Sequence, residues 1–170
     1  MESVKIVLTA LAAGIGYGIV HDQITVRVCV EYFTIGHPAL FQTTSPTLLA
    51  LAWGIAATWW VALPLGFALA VAARLGPQPK YDANRVLRPL LLLLVCMAVI
   101  AAAFGVAGYL GVRSGMVSVD PWVMTNIAAS KQAAFIGNWW AHSASYLSGT
   151  AGGLILCIYV WRTRRKAHIA

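Results

Sequence analysis

An all-α membrane protein, a four-helix transmembrane bundle with a small cap on one face, is the architecture this sequence predicts. Three observations predict it. The hydrophobic fraction is 60% with a mean hydropathy of +0.76, more apolar surface than a water-facing globule can bury. Only 10% of residues are charged, against roughly 25% in a soluble domain. The apolar residues fall into four runs near the roughly 20 residues that a helix needs to cross about 30 Å of hydrocarbon. Disorder, a coiled coil and a disulfide scaffold are excluded by the same composition. The 170 residues make one integral membrane domain, 1–170.

The first run covers about 4–20. It has Lys5 near its start, but its basic region is weak and no clear cleavage site follows, so it reads as a retained span rather than a signal peptide. The second covers about 47–73 and contains Pro64, which lacks the N–H that bonds one turn back and so predicts a kink there. The third covers about 89–112 and opens on the leucines 90–94. The fourth covers about 139–161, with Trp139 and Trp140 at one end and Trp161 at the other, as two interfacial aromatic belts require. Backbone groups in lipid must be satisfied internally, which makes all four helices.

Segments 21–46 and 113–138 form the cap. Residues 24–31 alternate with period two and are rich in β-branched side chains. That pattern reads as a strand, with Met116–Val119 as its partner in a short two-stranded element. The rival reading continues the first helix through it. Asp120-Pro121 reads as an N-cap followed by proline at the first helical position.

Lys/Arg placement sets orientation. Lys5, Arg74, Lys80, Arg85, Arg88, Arg162, Arg164, Arg165 and Lys166 share the side of the termini, while Arg27, Arg113 and Lys131 lie opposite. Both termini are therefore expected in the cytoplasm of a bacterium, in the inner membrane, with the cap outside. The basic residues flank apolar runs, so the net charge of +7 signals topology and not nucleic acid; the expected partners are the lipid bilayer and a homo-oligomer or larger membrane complex. Cys29, Cys96 and Cys157 form no CxxC pair and read as inert thiols.

Helices in lipid associate at small residues. Ala10, Gly14 and Gly18 recur every four residues on the first helix, and Ser145, Gly149 and Gly153 do so on the fourth. Packing of these ridges against each other brings His21, Asp22 and His142 together at the outer boundary. With Glu31, and more weakly His37 if its turn folds back, these side chains are the candidate site for a divalent metal (Zn, Fe, Cu or Mn) or for handling protons. Glu31 alternatively pairs with Arg27 four residues earlier. The spacing is no metal signature, and His21 and Asp22, being adjacent, diverge on a helix. Haem is disfavoured, because close-packed glycine ridges leave it no room. His168, in the basic tail, reads as solvated.

The pattern GYGIVHDQITVRVCVEYFTIGHP from Gly16 on, preceded by Gly14-Ile15, resembles a motif of small, uncharacterised bacterial multi-pass membrane proteins. The resemblance covers about 25 residues, implies a bacterial inner-membrane location and lends no reaction. No GxSxG, Walker loop or HExxH is present, so the chain leans away from being an enzyme. An accessory subunit of a larger complex, or an oligomeric transporter or channel, are the alternative readings.

Overall fold

The structure is a computed structural model that describes residues 1–169, with side chains through residue 165; the side chain of His168 lies outside the described set. Seven helices follow in order: α1 Glu2–Val28, α2 Glu31–Thr34, α3 Pro46–Ala56, α4 Trp59–Arg74, α5 Ala83–Arg113, α6 Pro121–Asn126 and α7 Ala129–Ile169. Four stretches are long and apolar enough to cross a membrane: α1, α3 with α4, α5, and α7 through Arg165. Their exposed faces carry Leu92, Val95, Phe104, Leu110, Leu147 and Ile155, side chains suited to a lipid environment.

Sequence-local signals set the starts. Ser45 Oγ accepts from the Leu48 N–H ahead of Pro46, Asp82 Oδ1 accepts from the Arg85 N–H at 2.9 Å, and Asp120 Oδ1 accepts from the Trp122 N–H at 2.8 Å ahead of Pro121. The expected cap at Asp120-Pro121 is there, but α6 stops at Ile127, whose backbone is extended, before α7 begins.

Among the described residues there is no strand, so the two-stranded element is corrected. Residues 24–28 continue α1, and the chain turns extended at Cys29 (φ −154°, ψ 99°). The buried residues here are Asp22, Thr25, Val26 and Cys29, a spacing of three and four that outweighs the period-two alternation. Met116–Val119 finds no partner strand: the Val117 N–H bonds Gly111 O at 3.0 Å, closing a turn after α5. The cap is made of α2, α6 and connecting turns.

The glycine ridges are also corrected. The small residues of α1 face α3 and α4, not α7. A Cβ on Gly14 would stand 2.6 Å from Ala62 Cβ, and one on Gly18 would meet Thr58 and lie 2.6 Å from Gly54 O. Gly66 lies against Ala10 in the same antiparallel ladder. On α7, Gly149 meets the Met97 side chain and Gly153 meets Leu65. Helix α7 packs along α5 instead, with Gly137 against Gly105 and Gly108 against Trp140. Helix α1 touches α7 lightly, toward the cap end.

The second apolar stretch breaks at Ala57–Thr58, six to seven residues before Pro64. Pro64 itself stays inside α4, its sixth residue, so the break comes about two turns earlier than the proline that predicted a kink. Two carbonyls lose their helical partners and find new ones. Thr58 Oγ1 donates to Gly54 O, and Tyr146 Oη donates to Ala57 O at 2.8 Å from α7.

At the end that carries the termini, Ile6, Leu69, Ala73, Val86, Leu90 and Val160 form the core. Arg164 is fully buried there. Its guanidinium donates to the carbonyls of Ala72, Leu75, Gln78 and Pro79, stapling α7 to the end of α4 and the turn beyond it. The planar five-donor fork suits that many carbonyls in one place.

Candidate metal centre

His21 and Asp22 lie on the last two turns of α1, and His142 on α7 faces them. One ligand atom from each lies within 4.8 Å of the others. His142 Nε2 is 3.9 Å from Asp22 Oδ1, and the His21 and His142 rings meet edge-on with centroids 4.5 Å apart. His21 and Asp22 diverge by about 100°, the angle between adjacent helix positions, yet both reach His142, so the divergence does not keep one of them out of the group.

Neighbouring side chains hold the group in place. Thr25 Oγ1 donates back to His21 O at 3.1 Å and lies 3.2 Å from His142 Nε2. Asn138, 2% exposed, donates Nδ2 to Thr25 O at 2.8 Å and to Cys29 O at 3.2 Å, tying α7 to the end of α1. Tyr17 stacks on His21 at 5.8 Å, and its hydroxyl shares a 2.8 Å hydrogen bond with Ser145 Oγ. Tyr32 (4.6 Å) and Phe33 (5.7 Å) cover the His142 ring. Among the described residues, Asp22, 5% exposed, has no Lys or Arg within ion-pair distance, and His21 Nε2 is buried without a hydrogen-bond partner. A buried carboxylate without a cation and a buried imidazole nitrogen without a partner are both costly in an apolar setting.

Glu31 and His37 stand apart from the three-residue group. Glu31, at the start of α2, accepts the Cys29 thiol at 3.3 Å. It does not pair with Arg27, whose guanidinium bonds Gln23 and Thr47 Oγ1. The turn carrying His37 does fold back: His37 Nδ1–H donates to Tyr32 O at 2.7 Å, and its ring packs on Trp53 at 4.6 Å. Tyr32 and Phe33 touch both the His37 and the His142 rings. Burial pushes the Cys29 thiol up to about 11 and raises the Tyr32 phenol as well.

The supporting residues had a signal in the sequence. Tyr17, His21 and Thr25 are spaced by four, and Asn138, His142 and Ser145 by four and three. Polar residues at helical period within apolar segments mark the faces that meet.

Two imidazoles and a carboxylate are a donor set for Zn²⁺, Fe²⁺ or Mn²⁺. Atoms both about 2.1 Å from one ion are at most about 4.2 Å apart and about 3.4 Å apart at tetrahedral angles, so an ion would draw side-chain atoms that now lie within 4.8 Å of one another together by at least about half an ångström. Three protein ligands leave at least one coordination position open. No protein-family model, curated protein or solved structure matches the chain.

Proposed function

We propose that this is a small bacterial inner-membrane protein that holds a divalent metal ion between His21, Asp22 and His142 at its outward face. The observation that carries the reading is the convergence, from two helices, of a buried carboxylate without a cation and two imidazoles, one with an orphaned nitrogen. An ion would satisfy all three at once. The nine-to-three distribution of basic residues supports the outward placement. Glu31 and His37 are not ligands in this reading. Transport of ions is the weaker account, because the polar groups give way to leucines half-way along the bundle.

Elemental analysis of the purified full-length protein tests it. About one equivalent of metal is expected in the wild type and in Glu31→Gln and His37→Ala. It should fall at least tenfold in His21→Ala, Asp22→Asn and His142→Ala, with helicity and melting temperature retained. Wild-type protein at background metal after growth in supplemented medium overturns the proposal, as does full occupancy in the three ligand variants. Background metal is also what the accessory-subunit reading expects.

A further inference from the structure

Below the three-residue group a cavity runs between α1, α4, α5 and α7. Its upper end is polar, with Tyr17 and Ser145 beside His21, Asp22 and His142. Its lower part is apolar, lined by Leu65, Leu90, Met97 and Leu156. The small residues of α7, Gly149 and Gly153, border this space rather than a neighbouring helix backbone.

Shape narrows the occupant. On α7 the lining runs from His142 to Leu156, which at a 1.5 Å rise spans about 21 Å. The room in which a water-sized sphere can move its centre is about 120 Å³. Spread along that length it averages roughly 6 Å² in cross-section, so with the sphere's own 1.4 Å radius the bore is about 2.8 Å in radius. A mean bore of that radius suits a single unbranched hydrocarbon chain and is too narrow for paired tails. Apolar walls of this kind stay dry and favour an apolar guest.

The polar end narrows it further. A divalent ion on two neutral imidazoles and one carboxylate keeps a net charge of about +1 and an open position, which suits an anionic oxygen ligand. We infer that the ligand of this protein is a long-chain fatty acid, its carboxylate on the metal and its tail threaded between Leu65, Leu90, Met97 and Leu156. The inference rests on the metal reading for its head-group half and on the cavity alone for its tail half.

The test uses full-length protein in phosphatidylcholine nanodiscs and palmitate carrying a mid-chain diazirine, cross-linked by light and mapped by peptide mass spectrometry. Metal content is measured on the same samples. Label is expected on Leu65, Leu93 and Met97, displaced by excess palmitate. It should drop at least tenfold in Leu94→Trp, which fills the bore, and in Met97→Trp as a second closing variant. Leu92→Trp, on the exposed face of the same helix, should label like the wild type, and His21→Ala should weaken labelling several-fold. Label confined to outward residues such as Leu92 and Ile155, or unchanged in both closing variants, overturns the inference, and does so with the metal reading intact if the ion is present. Cavity labelling in protein that binds no metal overturns the metal reading and the head-group half, and leaves the tail site standing.

Discussion

Asn138→Ala isolates the link between the two helices that build the site. Asn138 is buried and spends both amide hydrogens on backbone carbonyls of the neighbouring helix, Thr25 O at 2.8 Å and Cys29 O at 3.2 Å. An inter-helix hydrogen bond in a membrane protein is worth about 0.6 kcal/mol on average and up to about 1.7. Two such bonds and the small void left by truncation amount to roughly 2 kcal/mol. For a chain of this size that lowers the melting temperature by about 4–8 °C, at about 2–4 °C per kcal/mol. Asn126→Ala is the control, since Asn126 is exposed and bonds only within its own turn, to Trp122 O; it should leave stability within about 0.5 kcal/mol. The assay is thermal unfolding in one detergent, followed by helical circular dichroism. A second readout is specific to the site. Freed from α7, the last two turns of α1 carry His21 and Asp22 away from His142, and metal affinity should fall by about tenfold, the equivalent of about 1.4 kcal/mol. An Asn138→Ala protein that melts with the wild type would refute the tie between the helices. One that melts early yet binds metal with unchanged affinity would refute its role in holding the ligands.

Two further outcomes follow from packing and burial. Gly18→Leu should destabilise by about 1–3 kcal/mol, because its Cβ would meet Gly54 O and Thr58 where α1 crosses the broken helix, whereas Gly16→Leu, with nothing within 4 Å of the added Cβ, should be close to neutral in the same melt. For Cys29, whose thiol is pushed from 9.0 up to about 11 by burial, the thiolate at pH 8 is roughly a hundredfold scarcer than for an ordinary thiol. Iodoacetamide alkylation of Cys29 in the folded protein should therefore be slow, should still be rising about tenfold per pH unit above about pH 9, where an ordinary thiol levels off, and should approach the ordinary rate in dodecyl sulfate. Rapid labelling at pH 8 in the folded state would show that the thiol is not shielded.

The four long apolar helices were legible because they depend on length and hydropathy alone, and Asp120-Pro121 marked the start of the short α6 through capping chemistry that needs no distant partner; the cap at Asp82 starts α5 six residues before Pro89, where that span was expected to begin. The site was half legible. The meeting of His21, Asp22 and His142 was expected from a packing of glycine ridges that does not occur: Gly14 and Gly18 face Ala62, Gly54 and Thr58. The three residues meet instead because Asn138, Thr25, Tyr17 and Ser145 join the same two helix faces through hydrogen bonds. Small residues show that a helix is approached closely without saying by which neighbour. The β-branched alternation at 24–28 misled for a related reason. Strand pairing requires a second strand, and Met116–Val119 is consumed in a turn, so the helix, which satisfies its own backbone, prevails.

What the sequence by itself determined is the number of helices long and apolar enough to cross a membrane and the end at which most Lys and Arg gather, since each follows from the local solvent preference of consecutive residues. Only the tertiary structure decided which helices touch, where the second apolar stretch breaks, and that His21 and Asp22 share His142 while Glu31 and His37 turn to Cys29 and Tyr32. The meeting of the two helices depends on contacts between residues more than a hundred positions apart, such as Asn138 with Thr25, and the break on Tyr146 reaching Ala57 from α7, whereas Glu31 and His37 are held by neighbours within five positions. The polar spacing on each helix marks a face that meets something, but not which other face it meets.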